Sequence, residues 1–157
     1  MSNLLTSSLD ALTPVGQHFQ TEVNSRVGYV NLLPGTVNGF ARPINTPGGT
    51  GTALLSVDVL NNGSISLLTP VTVTFYADSG LLQPIGAVTI GAGVAGCTSR
   101  STRVFANWVG LPVGTHPFWV KVDSLNAVIE ADENDNVATG TVTVNQYGTY
   151  LPVVQRQ

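Results

Sequence analysis

Five of the chain's nine carboxylates, Asp123, Glu130, Asp132, Glu133 and Asp135, fall within residues 123–136, interleaved with Asn126, Asn134 and Asn136. Hard oxygen donors at alternating positions are what a calcium ion takes, and Asp132, Asn134 and Asn136 alternate like the opening ligands of a calcium loop. The rest of such a loop does not follow. Its sixth position is Val137 where the sharp turn needs glycine, and its twelfth is Thr143 where a bidentate Glu belongs. The same residue types have a second use: Asp and Asn side chains bond nearby backbone and tolerate left-handed dihedrals. A structural turn between two strands is therefore favoured over a calcium site of another geometry.

No other constellation reaches a chemistry. His18 and His116 have no cysteine partner at zinc spacing and no H-x-x-H pattern, so no metal-ligand set is expected. The serines lack a G-x-S-x-G elbow, and the glycine-rich run 91–96 lacks the lysine and helix of a phosphate loop. That run reads as a turn or bulge. The expectation is a protein that is not an enzyme, with no catalytic residue and no cofactor. Asn62, in Asn62-Gly63-Ser64, is a formal glycosylation acceptor within a tripeptide that is also an ordinary hairpin turn. Cys97 is alone and cannot form an internal disulfide, which fits a reducing compartment and equally a prokaryotic surface protein that avoids cysteine.

The elements that position these residues are short. Gly and Pro punctuation with β-branched, alternating runs predicts strands at 28–33, 52–60, 71–77, 86–90, 98–109, 115–122 and 137–145. Seven such strands point to a β-sandwich. Residues 34–51 read as a long connection, a length that is unusual in compact domains and often functional. On the fifth strand Val104 and Trp108 share a face with Thr102 and Ala106, opposite Arg103, Phe105, Asn107 and Val109. Both faces are partly apolar, so something else is expected to cover part of the outer one. Phe118, Val120, Val104 and Trp108 are assigned to the core, and Trp119 to a partly exposed face.

The run Asp123, Asn126, Val128, Glu130, Glu133, Asn136 resembles the last hairpin of the CARDB (cell-adhesion-related, bacterial) family of immunoglobulin-like modules, D-x-x-N-x-V-x-E-x-x-E-x-N-N. Asp135 departs from it, standing where the first of the paired Asn would be. Residues 52–63, ending in Asn61-Asn62-Gly63, look like the family's early strand. Residues 71–76 look like its next strand, and 114–122 like the G-x-[YH] strand that feeds the hairpin. The resemblance covers roughly residues 27–144 and implies an immunoglobulin-like sandwich used as an extracellular spacer or adhesion module without a catalytic site.

Only 10% of residues are charged, against about 25% in ordinary domains, while 43% are apolar. The surface must be covered largely by Thr, Ser, Asn and Gly. A net charge of −3 with this hydrophobicity excludes disorder. Weak electrostatic repulsion suits a surface covered by neighbours, with a hydroxyl-coated secreted domain as the alternative. Lys121 and five scattered Arg make no stripe for phosphates, so nucleic acid is not an expected partner. No apolar run approaches the roughly 18 residues of a membrane span. Residues 1–10 lack the basic start and continuous apolar core of a secretory signal, which leaves prior processing, another export route, or action where the protein is made, as in a virion.

Three regions are expected: an N-terminal arm (1–26), the sandwich (27–145) and a C-terminal segment (146–157). The arm carries Leu4, Leu5, Leu9, Leu12 and Phe19, too interrupted by Ser, Thr and Pro to form its own core. The C-terminal segment, with Tyr150, Leu151 and Val153, is too apolar for a loose tail and should dock on a surface, its own or a neighbour's. The function expected is structural: a self-assembling protein at a prokaryotic cell surface or outside the cell, the subunit of an extracellular filament or pilus, partnered by copies of itself. The alternatives are a virion structural or decoration protein, and a secreted module binding surface glycans through Trp108, Trp119 or Tyr76.

Overall fold

The structure is a computed structural model and describes residues 28–97 and 100–147. Its strands are β1 (Leu32–Ala41), β2 (Gly51–Asn61), β3 (Val71–Tyr76), β4 (Pro84–Ile90), β5 (Thr102–Leu111), β6 (Gly114–Lys121) and β7 (Val137–Val144). They form two sheets, β1-β2-β5 and β4-β3-β6-β7, with every strand pairing antiparallel. This is the immunoglobulin-like sandwich expected.

Alternation builds the core. Ala53, Leu55, Val57 and Val59 of β2 face Val71, Val73 and Phe75 of β3, Phe118 and Val120 of β6, and Val142 and Val144 of β7, all buried. Each large side chain so buried contributes about 1.5–3 kcal/mol of transfer free energy. Phe118 stands opposite Gly140 across β6 and β7. A Cβ at Gly140 would come within 2.5 Å of Phe118 Cζ, and one at Gly39 within 2.7 Å of Val142 Cβ. The missing side chains let the ring lie flat and let β1 close against β7.

The first strand is not where its punctuation placed it. Rather than ending at 33 before a connection, β1 runs through Leu32–Ala41, and its register breaks between Pro34 and Val37. β1 is an edge strand with only β2 as a sheet partner, so the absent Pro34 N–H can be accommodated at a bulge. Pro34, Gly35 and Gly39 are here the features of an edge strand, while residues 42–50, with Pro43, Pro47, Gly48 and Gly49, remain a connection. β5 spans Thr102–Leu111 rather than 98–109. Residues 91–97 form a crossing between the sheets in which Val94 is buried and Gly93 and Leu67 exchange backbone bonds through Leu67 and Val94 carbonyls.

The sandwich has two poles. At the first, β1 begins, β2 ends, and the 123–136 segment joins β6 to β7; the Tyr29 N–H donates to Ser64 Oγ there, so residues 1–27 attach at this pole. At the second, β1 ends, β2 begins and β7 ends. Ile44 N–H donates to the Asn145 carbonyl and Tyr147 N–H to the Ile44 carbonyl, so residues 148–157 attach at this pole.

Candidate functional site

The acidic segment is a turn locked onto the start of β1. Asp123, fully buried at positive φ, accepts the Ala127 and Val128 N–H groups on its two oxygens, at 2.9 Å each. Glu133 accepts the Glu130 N–H at 2.9 Å. Buried Glu130 accepts the Leu32 N–H on Oε2 and the Asn136 amide on Oε1. Asn31 accepts the Asp132 N–H at 2.8 Å and donates to Asp135 at 3.0 Å. Asn61, fully buried, accepts from Asn31 and Gly63 N–H and donates to the Ile65 and Val94 carbonyls. Asp135, where the sequence leaves the family pattern, thus keeps a partner across the chain. Its Oδ1 and Asn136 Oδ1 are buried without a hydrogen bond.

Asn31 did not stand out in the sequence, and Asn61 entered only in the Asn61-Asn62-Gly63 ending of the early strand, with no role assigned. The signal that could have found Asn31 is a lone amide in an apolar run, Tyr29-Val30-Asn31-Leu32-Leu33, which a core tolerates only if its polar atoms are paired.

Burial pushes the Glu130 carboxyl up to about 7, against the two donors that favour its charged form and with help from the nearby Glu133 and Asp123 charges. The three residues of the calcium reading all bond within the turn, through one Asp132 oxygen and the two Asn amide nitrogens. Asp132 Oδ1 takes the Asn134 N–H and amide at the surface, while Asn136 turns inward to Glu130. Among the described residues, no group of three or more His, Cys, Asp or Glu side chains is placed to hold a metal ion.

Beyond the turn, the two outer faces differ. That of β4-β3-β6-β7 is lined by Thr72, Thr74, Thr89, Thr115, Thr139, Thr141 and Thr143, with Tyr76 and Trp119 as direct cross-strand partners, both half-buried. That of β1-β2-β5 pairs Phe40 with Leu54, Phe105 with Ser56, and Val109 with Thr52, and the four apolar side chains are exposed. The Asp58–Arg103 ion pair, two bonds of 2.7 Å, closes this face at the first pole, and the guanidinium holds the Asp58 carboxyl below its usual range. Trp108 is corrected from core to margin: it is half-buried at the inner rim of β5, edge-on to His116 with centroids 6.0 Å apart. Trp119 lies partly exposed as expected. Asn62 is exposed, with its N–H on the Asn31 carbonyl. Leu4, Leu5, Leu9, Leu12, Phe19, Tyr150, Leu151 and Val153 lie outside the described residues.

A family model, CARDB, matches residues 43–140, more than half of the chain and the whole span from the end of β1 through the acidic turn into β7. The chain belongs to the CARDB family. The CARDB domain of the PF1109 protein from Pyrococcus furiosus, solved by crystallography in complex with di-metal ions, is similar at 24% identity with a TM-score of 0.54, covering 74% of this chain and 89% of that one. The solution structure of the same archaeal domain aligns at 22% identity and a TM-score of 0.50, over 77% of this chain and 100% of the other. A domain of a protein described as a cell surface protein from Methanosarcina acetivorans aligns at 21% identity and a TM-score of 0.55, over 78% and 97%. At these identities the likeness establishes the CARDB sandwich and nothing finer. No curated protein matches the chain. Among the described residues, no helix is long and apolar enough to cross a membrane.

Proposed function

We propose that this CARDB module is a structural element of the cell surface and, more specifically, a self-assembling subunit of an extracellular filament. The observation that carries the reading is polar attachment. Residues 1–27 join the sandwich at one pole and residues 148–157 at the other, on a body whose charged residues are only 10% of the chain. An arm leaving one pole meets the opposite pole of a copy stacked on it, and Leu4, Leu5, Leu9, Leu12 and Phe19 give that arm apolar surface to bury. The description of the Methanosarcina relative as a cell surface protein supports the same reading.

The test is electron microscopy of the full chain beside a full-length Leu5→Asp/Leu12→Asp variant. Filaments from the parent, and a folded monomer by circular dichroism and sedimentation from the variant, are expected. Filaments unchanged in the variant would remove the arm from the mechanism. A monomeric parent would reduce the reading to a simple surface module, and closed shells would move it to a virion.

The di-metal binding is a property of the Pyrococcus domain, and our reading of the acidic turn in this chain is a structural one. There Asp123, Glu133 and Glu130 accept from backbone and amide donors, while Asp135 Oδ1 and Asn136 Oδ1 are buried without a hydrogen bond. Glycan binding is a second reading, favoured by the Tyr76–Trp119 pair on the threonine-lined face. Aromatic rings on a flat hydroxyl surface suit stacking against sugar rings. Glycan-array signal that vanishes in Trp119→Ala would establish it, and an array blank for the parent would dismiss it.

A further inference from the structure

The outer faces of the sandwich are chemically unequal, and only one is coated in the hydroxyls that suit water. On β1-β2-β5, Phe40 is 66% exposed, Leu54 43%, Phe105 49% and Val109 70%. Register makes them one surface. Phe40 and Leu54 are directly opposed, while Phe105 and Val109 face the positions two residues either side of Leu54. Such pairs and diagonals lie within reach of one another on a sheet. Clustered apolar groups rimmed by polar ones mark a contact surface rather than scattered exposure.

We infer that this face is the docking site of the chain's own C-terminal segment, residues 150–154, Tyr-Leu-Pro-Val-Val. Three observations select that occupant. First, the last described residue before the segment, Tyr147, is anchored at the pole where β1 ends. The Tyr147 N–H is bonded to the Ile44 carbonyl at 3.0 Å, and Ile44 lies four residues beyond Phe40, about 13 Å at the rise of extended chain. The seven residues from 148 to 154 span up to about 23 Å, enough to cross strands spaced about 4.8 Å apart. The N-terminal arm attaches at the opposite pole and would have to pass the length of β1.

Second, the chemistry matches. Tyr150, Leu151, Val153 and Val154 supply apolar surface in a segment without a carboxylate, onto a patch whose own carboxylate, Asp58, is already paired with Arg103. Third, Pro152 has no N–H and biases Leu151 towards extended backbone. A segment built that way offers a sheet edge one donor fewer, and extended backbone can lie across side chains on a face. Because the tether is short, the docking event is intramolecular, with an effective concentration in the millimolar range. This inference does not rest on the assembly reading.

The experiment uses the full chain in a Cys97→Ser background with one nitroxide attached at Gln155→Cys, next to the docking residues. In nitrogen-15 spectra recorded below any assembly concentration, the amides of Phe40, Leu54, Phe105 and Val109 are expected to broaden and to sharpen on reduction of the label. A mixture of labelled natural-abundance chain with unlabelled nitrogen-15 chain is expected to show no such broadening. Broadening absent from these four residues overturns the proposal. Broadening confined to the mixture also overturns it, by assigning the face to a second copy. In parallel, Phe40→Ser/Phe105→Ser is expected to raise the chymotryptic cleavage rate after Tyr150 by about tenfold, as local protection is lost. An unchanged rate counts against docking at this face.

Discussion

Glu130 is a carboxyl that the fold wants protonated. Its value of about 7 stands above the ordinary 4.5 because burial outweighs the Leu32 and Asn136 donors. Between about pH 4.5 and 7 the folded chain holds a proton that the unfolded chain has released, so stability falls as pH rises through that window and levels off above it. Asp58, held low by Arg103, acts in the opposite sense and only around or below its ordinary 3.8, outside this window. Urea midpoints measured from pH 4.5 to 8 are expected to decline by the equivalent of up to about 3 kcal/mol, and Glu130→Gln to flatten the decline. An equal slope in the variant would locate the titration elsewhere. Asn61 has a larger structural stake. Its four hydrogen bonds satisfy buried backbone groups that alanine would leave unpaired, so Asn61→Ala is expected to cost about 3 kcal/mol in chemical denaturation.

At the scale of elements, the acidic turn is held by its own neighbours and by β1, with N–H groups donating to the Asp123, Glu130 and Glu133 oxygens that a cation could otherwise take. EDTA is therefore expected to leave the melting temperature unchanged to within about a degree, where loss of a site saturated at 100 times its dissociation constant would cost about 2.7 kcal/mol. A large drop would re-establish a cation site. The close approach of β1, β6 and β7 depends on bare backbone at Gly140, where an added Cβ would come within 2.5 Å of Phe118 Cζ and 2.7 Å of Val37 Cγ1. Gly140→Ala is expected to destabilise by about 1–3 kcal/mol through overpacking, measurable as a lower denaturant midpoint at constant slope. Trp108 and Trp119 are both half-buried, so their alanine variants are expected to differ little, each costing less than the roughly 3–5 kcal/mol of a fully buried ring.

At the scale of the molecule, the sandwich spaces its two attachment points apart and leaves its faces unlike: threonine on one side, Phe40, Leu54, Phe105 and Val109 on the other. That asymmetry sets one lateral face of the module apart as a contact surface. The same asymmetry makes the apolar face the site where solubility fails first. Phe40→Ser/Phe105→Ser is expected to reduce dye binding to exposed apolar surface once residues 150–154 are displaced, without lowering the denaturant midpoint by more than about 1 kcal/mol, since both rings lie outside the core.

Period-two alternation and β-branched runs were enough to locate six of the seven strands, because an inward-facing residue every second position is a local property of the chain. The acidic turn was legible for the same reason: Asp123 and Asn126 adopt positive φ where their side chains favour it, and Asp123 caps the backbone four and five residues on. What could not be read locally was set by distant partners. β1 continues through Pro34 because it is an edge, a fact decided by where β2 and β7 lie. Trp108 falls at a margin because β5 borders its sheet, although its alternation places it correctly on the inner face. Beside local bonds to residues 63 and 65, Asn31 and Asn61 bond residues 132, 135 and 94 and each other, and no residue spacing encodes those distant pairings. Composition announced a surface with few charges. Only the packing of the two sheets decided which face would be left apolar, because strand order determines which side chains share a surface.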